Sequence, residues 1–136
     1  MIKDIFKTSI YITNLNLDVK HYTKKCIKYS KCNKSFIKSN EGGYQSDNLI
    51  LNDWKELTNT IEQKINNEAY NYYPQITGIT DDLKICNMWI NINGTGNFNR
   101  YHIHPNSLMA GVYYIKTDDK TIYQLKKIIY VFSHHT

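Results

Sequence analysis

The spacing of hydrophobic residues changes several times along this chain, and each change predicts an element. Ile5 to Ile12 is dense in β-branched and aromatic residues, which suits a strand. After Asp18 the apolar positions Val19, Tyr22, Cys26 and Tyr29 step by three and four, the period of one helix face. Lys20, Lys24, Lys28 and Lys31 fall on the opposite face. Glu41-Gly42-Gly43 reads as a turn, followed by a short strand near Leu49 to Leu51. A second helix opens at Asp53. Glu56, three residues on, completes a capping-box pattern in which each side chain can satisfy an orphan amide of the first turn. Its apolar stripe is Trp54, Leu57, Ile61 and Ile65, and it should fade near Asn66-Asn67.

From Tyr72 the period becomes two. Cys86, Met88, Ile90 and Ile92 alternate with Asn87, Trp89, Asn91 and Asn93, giving a strand with an apolar back and an amide-rich front. Such a front either lines a polar pocket or faces solvent. Asn93 to Gly96 is a turn, Leu108 to Ile115 suits a buried strand, and Thr117 to Lys120 turns again. Ile122 to Phe132 reads as the last strand. Two helices followed by a run of strands predict an α+β chain with helices packed on an antiparallel sheet or barrel.

Composition narrows the function classes. The chain has 136 residues, a single-domain length, so residues 1–136 are read as one domain. With 41% hydrophobic and 21% charged residues it belongs to the globular class. No apolar run reaches the ~18 residues of a membrane span, and the charged start Met1 to Lys7 lacks the apolar core of a secretory signal. The net charge of +5 is uneven: residues 19–40 hold seven lysines and no acid, while the remainder is slightly acidic. That segment could attract polyanions. No nucleic-acid module signature accompanies it, so a solvated lysine face is the better reading and nucleic acid an unfavoured partner. Abundant Asn, Ile, Lys and Tyr, all with A/T-rich codons, offer a further source for the lysines. Cys26, Cys32 and Cys86 are odd in number and form no C-x-x-C pair, which points to a reducing, cytoplasmic setting without disulfides or a zinc ribbon.

Candidate chemistry centres on His102 and His104. Two residues apart on an extended segment, they point to the same side and can bind one metal ion. A chance pair on a polar strand is the alternative, because two ligands do not complete a site. Gly96, five residues, then His-x-His is also how the first metal motif of cupin barrels begins. The glutamate that motif needs is replaced here by Leu108 and Met109.

The wider context is more specific. It comprises Asn87-Met88-Trp89-Ile90-Asn91 through Gly96, then Asn99-Arg100-Tyr101-His102-Ile103-His104-Pro105-Asn106-Ser107, then Gly111-Val112-Tyr113-Tyr114. This run resembles the 2-oxoglutarate/Fe(II) oxygenase family common in marine bacteria and phages. Upstream, Ser39-Asn40-Glu41-Gly42-Gly43-Tyr44-Gln45-Ser46 is similar to that family's S-N-x-G-G-[WY]-Q-S segment. The likeness covers residues 5–117. It implies a double-stranded β-helix (jelly-roll) core, here incomplete, with the two N-terminal helices packed on it. It implies Fe(II) as cofactor and 2-oxoglutarate as cosubstrate, with oxidative decarboxylation coupled to hydroxylation of a small molecule or peptide. In the host cytoplasm, if a phage encodes it, no membrane would be involved.

Residue by residue, the resemblance makes His102 the proximal metal ligand and His104 the second, where the wider superfamily has a carboxylate. Trp89, Asn91, Asn99 and Ser107 would line the pocket. Arg100 would either hold an anion or pack at the barrel rim. Past Lys116 the pattern fades, so residues 118–136 are expected to be a divergent or truncated end. Ile128 to Phe132 followed by Ser133-His134-His135 is faintly similar to the late family segment, which makes His134 or His135 the candidate third ligand. A shortened barrel should also leave strand edges on which a second copy could pair. Three readings follow: an oxygenase, complete or not; a metal- or ligand-binding jelly-roll without turnover, including a degenerate remnant; and a polyanion-binding module.

Overall fold

A computed structural model of the chain describes residues 12–49, 54–69, 83–107, 109–116 and, as backbone, 128–132. The expected strand Ile5–Ile12, the helix cap at Asp53, the turn 117–120 and His134 and His135 fall almost wholly outside those residues.

Helix α1 spans Val19–Cys32. The Asp18 carboxylate caps it by accepting the His21 amide at 3.0 Å, which holds that carboxyl below its ordinary range. Tyr22 and Cys26 are buried as the period requires, whereas Val19, expected on that face, is exposed because it lies at the first helical position, ahead of the contact with α2. Lys20, Lys24, Lys28 and Lys31 are exposed. Helix α2 spans Lys55–Ala69 and so continues past Asn66-Asn67, where the stripe suggested an end. The Asn66 side chain explains the extension. It donates to Leu83 O at 3.1 Å and accepts from Leu83 N at 2.8 Å, so the last turn is fastened to the chain entering the sheet.

The helices meet at Trp54, which is 2% exposed. The Tyr29 ring lies edge-on to it at 6.1 Å and the Lys25 ammonium sits 4.5 Å from its centre. Leu57 and Ile61 of α2 join Leu49, Met88 and Ile90 in one cluster. Each such side chain contributes about 1.5–3 kcal/mol by leaving water. The core therefore lies between the helix pair and the apolar back of one strand.

The strands are β1 (Asn40–Glu41), β2 (Tyr44–Gln45), β3 (Ile85–Ile92), β4 (Phe98–Asn99), β5 (Met109–Tyr113) and β6 (Ile128–Phe132). All pairings are antiparallel: β1 with β4, and a four-stranded sheet in the order β2-β3-β6-β5. The late strand β6 thus fills the middle of the sheet. Helices and small antiparallel sheets agree with an α+β chain, and the described residues form no complete double-stranded β-helix. One edge is covered rather than open: outside β2, Gln45 N–H donates to Ser35 Oγ at 3.1 Å and Gln45 O accepts from Phe36 N at 2.8 Å.

Three strand expectations shift. A bulge at Cys86 turns Ile85 inward in its place, so Ile85 is buried and Cys86 half-buried. From 109 onward the stretch expected as a buried strand is not fully buried: β5 alternates half-buried and exposed residues, with Val112 at 40%, as an edge strand with one covered face does. Leu49 is buried but lies outside any strand; its amide donates to Met88 O at 2.8 Å, extending the contact with β3.

Candidate functional site

The amide-rich front of β3 faces a cleft of about 570 Å³. Its floor comes from Asn87 and Trp89 of β3 with Gln45 and Asn48 alongside. Its wall is the segment from Arg100 to Ser107, and Lys38 and Ser39 close the rim.

Side chains, as much as backbone, hold the floor in register. Ser46 N donates to Ile90 O and Ile90 N donates back to Ser46 Oγ, both at 2.9 Å. Two residues on, Asn48 Oδ1 accepts from Met88 N at 3.3 Å, and Asn48 Nδ2 donates to Asn87 Oδ1 at 3.1 Å. A serine hydroxyl and an asparagine carbonyl thereby stand in for strand carbonyls. The preceding loop is tied by buried Asn40, which accepts from Lys38 N at 3.0 Å and donates to Gly43 O at 3.0 Å. Gly43 allows the closest approach: a Cβ there would collide with the Asn93 side chain and lie 3.0 Å from Ile92 O.

Two turns aim the wall. Asn97 N donates to Gly94 O at 3.1 Å with Gly96 at φ +79°, the type II pattern that wants glycine third. Ser107 N donates to His104 O at 3.2 Å across Pro105-Asn106, with Asn106 at φ +62°. Proline second and asparagine third suit the same turn type.

Between those turns the two imidazoles meet, centroids 4.7 Å apart and edge-on. His102 Nδ1 lies 2.7 Å from Arg100 O. A carbonyl only accepts, so the proton belongs on Nδ1 and the Nε2 lone pair is left for a metal. His104 lies against Trp89 at 5.7 Å. Burial, and then neighbouring His102, push its pKa below the ordinary value and favour the neutral ring a metal needs. Neutral imidazoles are a donor type that metals take. Among the described residues no group of three His, Cys, Asp or Glu converges, so they supply two donors and no carboxylate.

The other expected site residues divide. Trp89, Arg100 and Ser107 line the cleft, whereas Asn91 and Asn99 do not. Asn91 is 4% exposed, and neither its Oδ1 nor its Nδ2 has a partner. Asn99 bridges, accepting from Asn93 Nδ2 at 2.9 Å and donating to Ser39 Oγ at 3.2 Å, which pins β4 to β1. Arg100 Nε is 3.0 Å from the Glu41 carboxylate, and its Nη2 donates to Lys38 O at 3.2 Å. Sequence reasoning missed Gln45, Asn48 and Lys38 as lining residues. The Gln45-Ser46-Asp47-Asn48 run, with a polar side chain at every position, was the signal for the first two.

The arrangement defines an open, polar cleft with a paired-imidazole wall. A family model described as "Putative 2OG-Fe(II) oxygenase" matches residues 87–132, which take in β3 from Asn87 onward, His102 and His104, and β6. That family implies Fe(II) and 2-oxoglutarate. The match runs past Lys116, where the motif likeness fades, and leaves Ser39–Ser46 outside it. No curated protein and no solved structure matches the chain. No helix among the described residues is long and apolar enough to cross a membrane.

Proposed function

We propose that the chain is an Fe(II)/2-oxoglutarate-dependent oxygenase that hydroxylates its substrate in the cleft above β3. The observation carrying this reading is the His102–His104 pair, 4.7 Å apart inside the family match, with a carbonyl at 2.7 Å on the Nδ1 side of His102. His102 and His104 would hold the metal through their free ring nitrogens, and His134 or His135 is the proposed third donor. When bound, iron and cosubstrate would supply the oxidising chemistry, as cofactors do for reactions side chains cannot perform. The chain itself would orient and shield. Trp89 backs His104 and fixes its ring plane. Asn87 and Gln45 offer amides to substrate, and Ser107 adds a hydroxyl beside the wall. Arg100, its charge balanced by Glu41, would anchor the rim rather than seize an anion. Asn91 and Asn99 would act from behind the cleft by supporting its floor and wall. A cytoplasmic location and pairing of two copies through the β5 edge are parts of the same proposal.

The test is anaerobic titration with Fe(II) and 2-oxoglutarate, followed by admission of air. The expected result is a weak visible charge-transfer band and then succinate, both lost in His102→Ala and His104→Ala. Metal binding without succinate would instead favour a metal-binding jelly-roll without turnover.

A further inference from the structure

The cleft is bordered by large apolar side chains that the fold leaves in solvent. Tyr101 is fully exposed and Ile103 is 83% exposed, and both line the cleft in alternation with the two histidines. Ile37 is 85% exposed. The β1–β4 ribbon continues through Arg100 N donating to Ser39 O at 2.7 Å, so its register brings Ile37 to the end where Tyr101 lies. Single exposed apolar residues are ordinary, but a group at the mouth of a site marks a surface that meets another molecule. Tyrosine is also favoured in binding hot spots.

The opposite side of the cleft is made of amides. Gln45, Asn48 and Asn87 each carry donor and acceptor groups. Gln45 is 3% exposed and its Oε1 has no partner, while on the same floor Trp89 Nε1–H has none either. An anion only accepts, whereas the exposed amides of Asn48 and Asn87 both donate and accept. A peptide group, with N–H and C=O together, matches them. Charge supplies the last constraint. Among the described residues no carboxylate lines the cleft and Lys38 on the rim makes no ion pair, while Arg100 is already balanced by Glu41.

We propose that the substrate is a protein segment, bound extended in the cleft, with an apolar side chain against Tyr101 and Ile103 and an acidic one at Lys38. This names the substrate class of the oxygenase reading and rests on it for the reaction, though not for the binding. Metal-free full-length chain is panned against a displayed random-peptide library, and the consensus peptide is titrated by fluorescence anisotropy. Enriched peptides should pair an apolar residue with Asp or Glu a few positions away. The variant Tyr101→Ser/Ile103→Ser, altered only at exposed positions, should keep its circular dichroism and lose affinity by about tenfold or more, as hot-spot truncation does. Lys38→Glu should remove the preference for acidic residues. No enrichment over an unrelated protein, or equal binding by the double variant, would overturn the proposal. So would self-association of the wild type that the double variant abolishes, without peptide binding. Peptide binding with no iron uptake would leave this inference standing and remove the oxygenase. Succinate production with no peptide binding would do the reverse.

Discussion

Replacing Ser46 with alanine tests whether a side chain truly substitutes for strand backbone. The hydroxyl accepts the Ile90 amide at 2.9 Å and donates to Asp47 O at 2.7 Å. Ser46 is 1% exposed and Ile90 is likewise buried, so water cannot take over the vacated place. The group left behind is a strand amide at the centre of β3. A buried donor without a partner costs about 1–3 kcal/mol, and the retained Cβ leaves little cavity to add to that. For a domain of this size, each kcal/mol moves Tm by roughly 3–5 °C, so Ser46→Ala should melt roughly 3–15 °C lower. Urea unfolding followed by tryptophan fluorescence gives the free energy, and an unchanged slope would show that the denatured state is unaltered. Thr60→Ala is the control. It removes an exposed hydroxyl that donates to Glu56 O at 2.9 Å within helix α2, and should change stability by less than about 0.5 kcal/mol. If Ser46→Ala matches that control, the Ile90 amide has another partner and the account of the register fails.

Other consequences are as specific. Gly43→Ala should destabilise by about 1–3 kcal/mol in the same assay, because its Cβ must displace Asn93 and press on Ile92 O. Gly96→Ala meets no neighbour and should cost less, through its positive φ alone. The pKa of His104 is lowered from 6.5 in the fold, so the unfolded chain binds the proton more readily. That contribution to stability is complete above the unfolded value and is lost as pH falls through the folded one. Denaturation of His104→Gln should accordingly show a shallower loss of stability on acidification below about pH 6.5; an unchanged slope would contradict the burial of the ring. Burial pushes the Cys26 thiol up to about 12, whereas Cys32 is exposed. Alkylation at pH 8, read by mass spectrometry, should label Cys32 in the native protein and Cys26 only after denaturation.

The helices were legible because their signal is local. Tyr22, Cys26, Trp54, Leu57 and Ile61 are buried where the three-and-four spacing puts them. The back of β3 was legible for the same reason with a period of two. What escaped depends on partners distant in sequence. The inward turn of Ile85 needs a bulge against Phe132, and the persistence of α2 past Asn66 needs Leu83. In sequence, Asn91 and Asn93 look alike as front-facing amides, and Asn99 is a pocket candidate by resemblance. One lies buried and unpartnered, and the other two bond to each other, because β1 and β4 cross that end of the strand. His102 and His104 were recognisable from spacing and resemblance. The carbonyl that sets the His102 tautomer belongs to Arg100, whose own position is set by Ser39 and Glu41 some sixty residues upstream.

Fold and site are joined on β3. Its back carries Met88 and Ile90 into the helix core, and its front sets Asn87 and Trp89 in the cleft. Because side chains alternate, sliding the strand by one residue would exchange those sets. Trp89 and Asn91 would enter the core, and Met88 and Ile90 would lie under the histidines. Two contacts distant from the cleft fix where the strand begins: Ile85 N donates to Glu62 Oε1 at 2.8 Å, and Leu83 N donates to Asn66 Oδ1 at 2.8 Å. The bulge at Cys86 then sets the parity of everything after it. Ser46 and Asn48 lock the same register from the other edge. Helix α2 therefore bears on the site without touching it. Weakening Glu62 or Asn66 should disturb the packing of Trp89 against His104 as well as the core, whereas a lesion on the lysine face of α1 should disturb neither.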